Sequence, residues 1–442
     1  MPGKDTGEMG STGATERYEA VILGAGISGL VSASVLLGQG YKRILIADAY
    51  TRLGGNHIDW SKEDYSFDVG SFIFQDDSPL LKHFPELLSR YKEVRPVWGR
   101  LNPRGIVTAY PISMRDDILS AGPIEWIRVG SSLLYARLFQ KNIGNARDFA
   151  RYWIGEHLLQ SSGLESYMTR FYGVPPVEID IRLAEKRMRW ISEHASLRNL
   201  ARRLLPRLRK WKAPANRQLV RPKEGFNYLY EVAAERLKAR GVAFVLGAIF
   251  RSLERRDNAF CLRLADRTVW SDRVVSTIPI GHVEAMCGLK SEPLSSITLL
   301  SLFYRFSGQR GFVPSILYNF SHQGAWKRLT MHSDFYGRAN DREYFAVEVI
   351  ANHVDYSTEL AEQDFVRHVR TKGLFEGDLK LEGSMLLENA YPIYSRRTGE
   401  CADRAVRALE AFGIQSFGRQ GGFDYQPTAR VSAIDAEASL AR

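Results

Sequence analysis

Short apolar runs ending in glycine alternate with stretches of helical spacing along this chain. In Tyr18–Gly24, Val21, Ile22 and Leu23 stand together without alternation. That is the pattern of a parallel strand covered on both faces. Gly24–Gly38 reads as a tight turn opening a helix, and Gly38-Gln-Gly40 stops it. Arg43–Asp48 is a second buried strand, so the opening of the chain predicts one βαβ unit. From Asp116 to about Leu208, apolar residues recur at three-to-four spacing, as at Trp126, Val129, Leu133 and Leu134, and predict helices. The aromatics Trp126, Tyr135 and Phe139 in that region are read as core residues. Strands are predicted again at Val242–Leu246, Phe260–Leu264, Arg273–Thr277, Ile297–Phe306, Tyr344–Ile350 and Met385–Tyr391. Helices are predicted at Glu359–Leu374 and Cys401–Phe412.

A chain of 442 residues exceeds what one core organises, so two domains are expected. Residues 1–17 carry no apolar run and are expected to be a disordered tail rather than a secretory signal. No apolar run approaches the ~20 residues of a membrane-spanning helix. Cys261, Cys287 and Cys401 are scattered, which excludes a disulfide framework or zinc site and fits a cytoplasmic protein. Lys and Arg number 60 against 50 Asp and Glu, a formal net charge of +10. Fourteen of the basic residues fall between Arg182 and Lys223. Such a stretch is either a solvated helix face or a clamp for phosphate oxygens. It lacks the interleaved aromatics of a nucleic-acid surface, so no nucleic-acid partner is expected. Peripheral contact with a membrane stays open.

Gly24, Gly26 and Gly29 form G-x-G-x-x-G between the first strand and the helix. In that setting the first glycine allows the turn, the second admits a pyrophosphate, and the third lets helix and strand pack. The amides of Ala25, Ile27 and Ser28 belong to the same helix mouth, where anions are favoured. Asp48, followed by Ala49, ends the second strand nineteen residues beyond Gly29 and suits ribose hydroxyls.

The continuation separates FAD from NAD. Arg52-Leu-Gly54-Gly55-Asn56 follows at once, and Phe67-Asp68-Val-Gly70-Ser71 comes soon after. With these segments the chain resembles the FAD superfamily of amine oxidases, protoporphyrinogen oxidases, phytoene desaturases and UDP-galactopyranose mutases. The resemblance implies that Arg52, Gly54, Gly55, Asn56, Gly70 and Ser71 pass the FAD phosphates, ribityl chain and ring. It also implies that Phe250 lies at adenine, and that Gly418 and Arg419 lie by the pyrophosphate or ribityl oxygens. Phe171–Pro176 is similar to the helical insertion of the protoporphyrinogen-oxidase-like branch. The implied fold is α/β: a Rossmann-like FAD domain from residues 18–100, 215–285 and 381–442. An inserted α+β substrate domain would come from a helical part, 101–214, and a β-rich part, 286–380.

Two chemistries follow from the resemblance. In one, the flavin accepts a hydride from a small-molecule substrate, in an oxidoreductase serving glycan or lipid biosynthesis. In the other, a mutase-like enzyme isomerises a nucleotide sugar on reduced flavin without net redox change. Gly54-Gly55-Asn56 and Tyr110–Met114 favour the second. Tyr425-Gln-Pro-Thr-Ala-Arg430 lacks the mutases' Asp, and the insertion is more similar along its length to the protoporphyrinogen-oxidase-like branch, which favours the first. A third possibility is a basic FAD-binding scaffold on membrane or RNA. His57 is the histidine nearest the flavin by motif order and is read as structural. No catalytic residue is assigned.

Overall fold

Strand β1 (Thr15–Leu23) is the centre of a mixed sheet, and the reason is visible in its burial. Ala20, Val21, Ile22 and Leu23 are all fully enclosed, covered from both faces. The structure is a computed structural model and describes residues 15–112, 117, 122–140, 142–187 and 216–441. Helix α1 (Ile27–Gly38) leads to β2 (Ile44–Asp48), which lies parallel to β1 with Ala20 opposite Ile44. Strand Val242–Leu246 extends the sheet on the far side of β2, also parallel. On the other side of β1 runs Thr268–Ser276, whose outer edge is shared. Strand Ala259–Leu264 pairs antiparallel with its first half, and Ile414–Ser416 pairs parallel with its second half. The expected βαβ unit is therefore present. β1 starts before the apolar run, because Thr15–Arg17 pair with Thr268–Trp270.

Helix α1 is covered by the C-terminal helix Ala429–Leu440, whose last turn is tied back where Gln39 Nε2 donates to the Leu440 carbonyl at 2.7 Å. That closes the two ends of the chain over one another, on the side of the sheet that holds the dinucleotide motif.

The second sheet is largely antiparallel, in the order Phe375–Pro392, Ser296–Arg310, Glu343–Ile350, Trp326–Met331, Ile316–Asn319, Trp98–Leu101, Val107–Ala109. Along Ser296–Arg310, Leu300, Leu302, Tyr304 and Phe306 share a core with Phe365 and Val369 of helix Thr358–Thr371. Ile297, Leu299 and Phe303 face the other way, into a core with the hairpin Ile58–Lys62/Tyr65–Val69. The pairing with Phe375–Pro392 shifts register between Phe303 and Tyr304 without disturbing that alternation. Trp60 lies flat on Phe303, ring centroids 4.6 Å apart, and Gly383 makes room: a Cβ there would stand 2.6 Å from the indole. The hairpin thus fastens the first sheet's chain onto the second sheet.

Sheet membership departs from the expected domain limits. Trp98–Leu101 and Val107–Ala109 join the second sheet, across the limit expected at residue 100. Phe375–Pro392 pairs with Ser296–Arg310 through the limit expected at 381. The helical region contains Pro123–Phe139, Ala146–Ile154, Glu156–Ser161, Leu164–Tyr172 and Ile181–Arg187. Residues 188–208 of the predicted helical region lie outside the described residues, as does most of the arginine-rich stretch. Trp126, Tyr135 and Phe139 are not core: they are 45%, 58% and 66% exposed. The period was right for a helix, but the helix turns only Val129 and Ala136 fully inward.

Candidate active site

β1 delivers Gly24 to the edge of a cavity of about 1220 Å³. Gly24 takes φ +111°, and a Cβ on it would meet Thr277 Oγ1 at 2.4 Å. A Cβ on Gly29 would sit 1.9 Å from the Gly24 carbonyl oxygen. These two glycines are required by the protein's own packing. Gly26 is different. Its backbone is extended, and a Cβ would make only ordinary contact, 3.5 Å from Gly55 Cα. The polypeptide alone does not demand glycine there; a ligand approaching the backbone does. Gly26 is the N-cap of α1, no side chain caps it, and Gly26, Ile27 and Ser28 line the cavity. The helix mouth is thus left to a ligand, and its N–H groups favour an anion.

The Gly54-Gly55 step clamps this loop from above. Gly54 N–H donates to the Ala25 carbonyl at 3.0 Å, and Gly55 lies against Gly26. Gly54, Gly55 and Gly70 all hold positive φ, +104°, +60° and +82°. Nothing stands within 4 Å of a Cβ built on Gly70, which, with Ser71, lines the same cavity.

Asp48 is 93% buried at the end of β2, its relative exposure being 7%. Its two carboxylate oxygens accept from Ala25 N–H at 2.6 Å and Tyr50 N–H at 2.8 Å. Burial raises its pKa, and these two N–H groups pull the other way. Each oxygen keeps further acceptor capacity beside the cavity. Ala49, Gly247, Ala248, Ile249 and Phe250 continue the wall there, with Ala248 N–H donating to the Asp48 carbonyl at 2.8 Å.

Most of the residues expected at a cofactor are gathered here: Gly24, Gly26, Ile27, Ser28, Asp48, Ala49, Gly54, Gly55, Asn56, Gly70, Ser71, Phe250 and Arg419 all line the cavity. Four stand behind it. Ala25 and Gly29 are spent on holding the turn together. Arg52 turns its guanidinium to the Asp59 carbonyl at 3.5 Å, and Gly418 donates its N–H to Asp435 at 3.0 Å. Arg419 lines the cavity while its Nε donates to the Gln426 carbonyl at 3.1 Å.

Beyond Gly70 and Asn56 the cavity continues into a chamber walled by the second sheet and by Phe171. Tyr318 stacks on Tyr110 with centroids 4.3 Å apart, and on Trp98 at 6.2 Å; Phe171 stacks on Tyr391 at 5.8 Å. Lys327 and Arg328, neighbours on one strand, both reach Glu348 on the next. Successive strand residues ordinarily point to opposite faces. Here the register against Glu343–Ile350 slips between Trp326 and Arg328, and such irregularities re-aim side chains. Lys327 Nζ stands 3.2 Å from Glu348, donates to the Tyr391 hydroxyl at 2.8 Å, and lies 4.8 Å above the Phe171 ring. Burial, opposed by Glu348 and reinforced by Arg328, lowers the Lys327 pKa. Burial works against the Glu348 charge, but Arg328 and Lys327 outweigh it and keep the carboxyl ionised. Arg328 also ties the group to the cradle by donating to the Gly70 carbonyl.

His57 lines the cavity, but its ring stacks on Phe226 at 5.3 Å and its Nδ1 meets the Tyr230 hydroxyl at 2.6 Å. Burial, helped by Arg419, pushes its pKa down to about 3, so the ring is neutral at physiological pH. Asp68, of the D-x-G segment, faces away from the chamber into a buried knot: it pairs with Arg221 and accepts from the Tyr336 hydroxyl at 2.6 Å. Its backbone N–H donates to His332 Nε2 at 2.9 Å. Arg221, one of the fourteen basic residues, is therefore neither solvated nor a phosphate ligand.

Sequence reasoning missed Lys327, Arg328 and Glu348. Their signal was a charge inside an apolar strand: Glu348 is flanked by Val347 and Val349, and Lys327 follows Trp326. Such charges are buried only when paired.

The family model for flavin containing amine oxidoreductase matches residues 27–306. A reduced UDP-galactopyranose mutase has the same fold, TM-score 0.76 over 96% of this chain and 94% of that one, at 16% identity. A protein of Exiguobacterium sp. 255-15 provisionally assigned as a protoporphyrinogen oxidase gives 0.72 over 97% and 99%, at 16% identity. Cyclohexylamine oxidase from Brevibacterium oxydans IH-35A gives 0.64 over 96% and 98%, at 12% identity. Among curated proteins, prolycopene isomerase 2 of an Oncidium hybrid cultivar is 36% identical over 66 residues, which are 15% of this chain and 11% of that protein. Among the described residues no helix is long and apolar enough to cross a membrane, and no group of His, Cys, Asp or Glu is placed to hold a metal. The volume exceeds the ~300–1,000 Å³ of a usual small-ligand site, leaving room for a dinucleotide and a second molecule. The glycine that packing does not explain, the uncapped helix mouth and the carboxylate beside it suit the pyrophosphate and ribose of that dinucleotide. This chain belongs to the flavin-containing amine oxidoreductase family, and its cofactor is FAD.

Proposed function

We propose that the enzyme oxidises a small molecule at a C–H bond next to nitrogen, oxygen or a double bond. FAD, when bound, supplies a two-electron acceptor for the hydride. The observation that carries this reading is the continuity of the cavity from the glycine cradle, past Gly70, to the chamber of Lys327 and the stacked rings. Tyr110, Tyr318, Phe171 and Tyr391 offer faces against which a substrate would be held in one orientation, which is most of what such a reaction asks of a protein. Lys327 Nζ is buried beside the rings, and burial lowers its pKa although Glu348 stands 3.2 Å away. Its lowered pKa suits it to take the proton that leaves a substrate N–H or O–H as the carbon is oxidised. Glycan- and lipid-related molecules are substrate classes to test beside amines, a nucleotide sugar first.

The experiment is an anaerobic titration of the oxidised holoenzyme with amines, alcohols and nucleotide sugars. Bleaching of the flavin absorbance by one of them, slowed in Lys327→Met, is the expected result. Turnover of a nucleotide sugar only after prior reduction of the flavin, with no acceptor consumed, would establish an isomerase instead.

A further inference from the structure

The helix Pro123–Phe139 is built inside out. Val129 and Ala136 are its fully buried residues, and they lie on one side. At 100° per residue, Ile124, Ile127, Leu134, Tyr135, Leu138 and Phe139 fall within an arc of about 140° on the roughly opposite side. Their exposures are 68%, 71%, 59%, 58%, 59% and 66%. Scattered exposed apolar residues need no explanation, but a contiguous stripe does. The helix is not loose. Ser132 Oγ accepts from His157 N–H at 3.0 Å, and Gln140 Nε2 donates to the Asp148 carbonyl at 3.0 Å. Arg137 lies 4.2 Å over the Trp153 ring. The protein therefore holds the stripe rigidly outward.

We infer that this stripe seats the enzyme on the surface of an anionic phospholipid bilayer. Two observations choose that occupant over a second copy. The first is size. A helix of 17 residues is about 25 Å long and its outer face about 10 Å wide, roughly 250 Å². A stable dimer needs about 800 Å² from each partner. A bilayer has no such threshold, because a helix lying in the interface buries its apolar face to a shallow depth. The second is charge. The only charged side chain within the arc is Arg128, whose side chain is 64% exposed, and the whole chain carries +10. Two such copies repel one another, while anionic headgroups attract them. Tyr135 and Phe139, whose rings lie 4.9 Å apart near the end of the stripe, are residue types suited to the headgroup boundary.

The test is co-sedimentation of the FAD-loaded full chain with phosphatidylcholine vesicles holding 30% phosphatidylglycerol, a composition of about that order being rich enough to give a negative surface. We expect the protein to pellet with these vesicles. Raised salt should weaken binding without abolishing it. The variant Ile127→Glu/Leu134→Glu/Leu138→Glu should bind at least tenfold more weakly while keeping its flavin and melting temperature. Should that variant fail to fold, Leu138→Cys carrying an environment-sensitive dye serves instead, with a blue shift on adding vesicles expected and an unmoved spectrum against the inference. A wild-type protein that stays in the supernatant at all lipid concentrations would overturn it. So would equal binding by the triple variant, or a stripe-dependent dimer that ignores vesicles. None of these readouts depends on the substrate, so they stand apart from the proposed reaction.

Discussion

The cradle and the chamber are two halves of one cavity built by opposite means. In the cradle the groups at the cavity are mostly backbone: the mouth of α1, the parallel-bridged Gly26 and Gly54 segments, and the loop beyond β2. The carboxylate beside it, Asp48, is held by two backbone N–H groups. In the chamber the lining groups are side chains: Trp98, Lys327, Glu348 and Tyr391 from the second sheet, two of them drawn together by a register slip, and Phe171 from a helix. A backbone site tolerates no change of chain path but accepts varied side chains around it. A side-chain site keeps its path and varies its contents. The comparison teaches that the cofactor half of the cavity is shaped mainly by chain path, and the other half mainly by side chains.

The comparison is broken most severely by Gly26→Val. We expect a folded protein without flavin, because packing leaves room for a Cβ while the ligand does not; cofactor content and a melting curve check both halves. Next is Lys327→Met, expected to lower kcat about 10²–10⁴-fold, the span of general acid–base effects, with the flavin spectrum retained. A KM change with kcat intact would move Lys327 from proton transfer to binding. Asp48→Ala should weaken FAD by about 10–100-fold, the loss of hydrogen bonds to a charged group, about 1.5–3 kcal/mol, read by flavin release on dilution. Arg419→Ala should have a smaller effect on occupancy and a visible one on flavin absorbance, since the side chain is held by Gln426 as well as facing the cavity.

The smallest effect is on pH dependence. His57 has a folded pKa of about 3 against an ordinary 6.5. Between those values the unfolded chain binds more protons than the folded one, so this group makes stability fall as pH falls through that window. Its share of the slope is at most ~1.4 kcal/mol per pH unit. His57→Gln should therefore flatten the acid limb of stability measured by denaturant titration; an unchanged limb would show that the ring is not held neutral.

The cradle was legible because glycines carry geometry. Gly24 and Gly29 are where they must be for β1 and α1 to meet, so spacing alone located the mouth, and Asp48 followed from the length of one βαβ unit. The chamber was not legible, because a register slip leaves no mark in the sequence. Lys327 and Arg328, as neighbours, would be assigned to opposite faces of a strand. Arg221 showed the reverse error: it belonged to a basic run expected either to be solvated or to clamp phosphate, yet Asp68 draws it into the interior. The outward stripe of Pro123–Phe139 misled for a third reason. Period identifies a helix, but only tertiary contact says which side is covered.

The account rests on a dinucleotide held at the mouth of α1, and the visible spectrum of reconstituted protein tests it most directly. Unfolding, refolding with FAD and gel filtration should return a yellow protein with about one flavin per chain, and Gly26→Val treated alike should come through colourless but folded. Wild-type protein that refolds and remains colourless, or a Gly26→Val variant as yellow as the wild type, would contradict it.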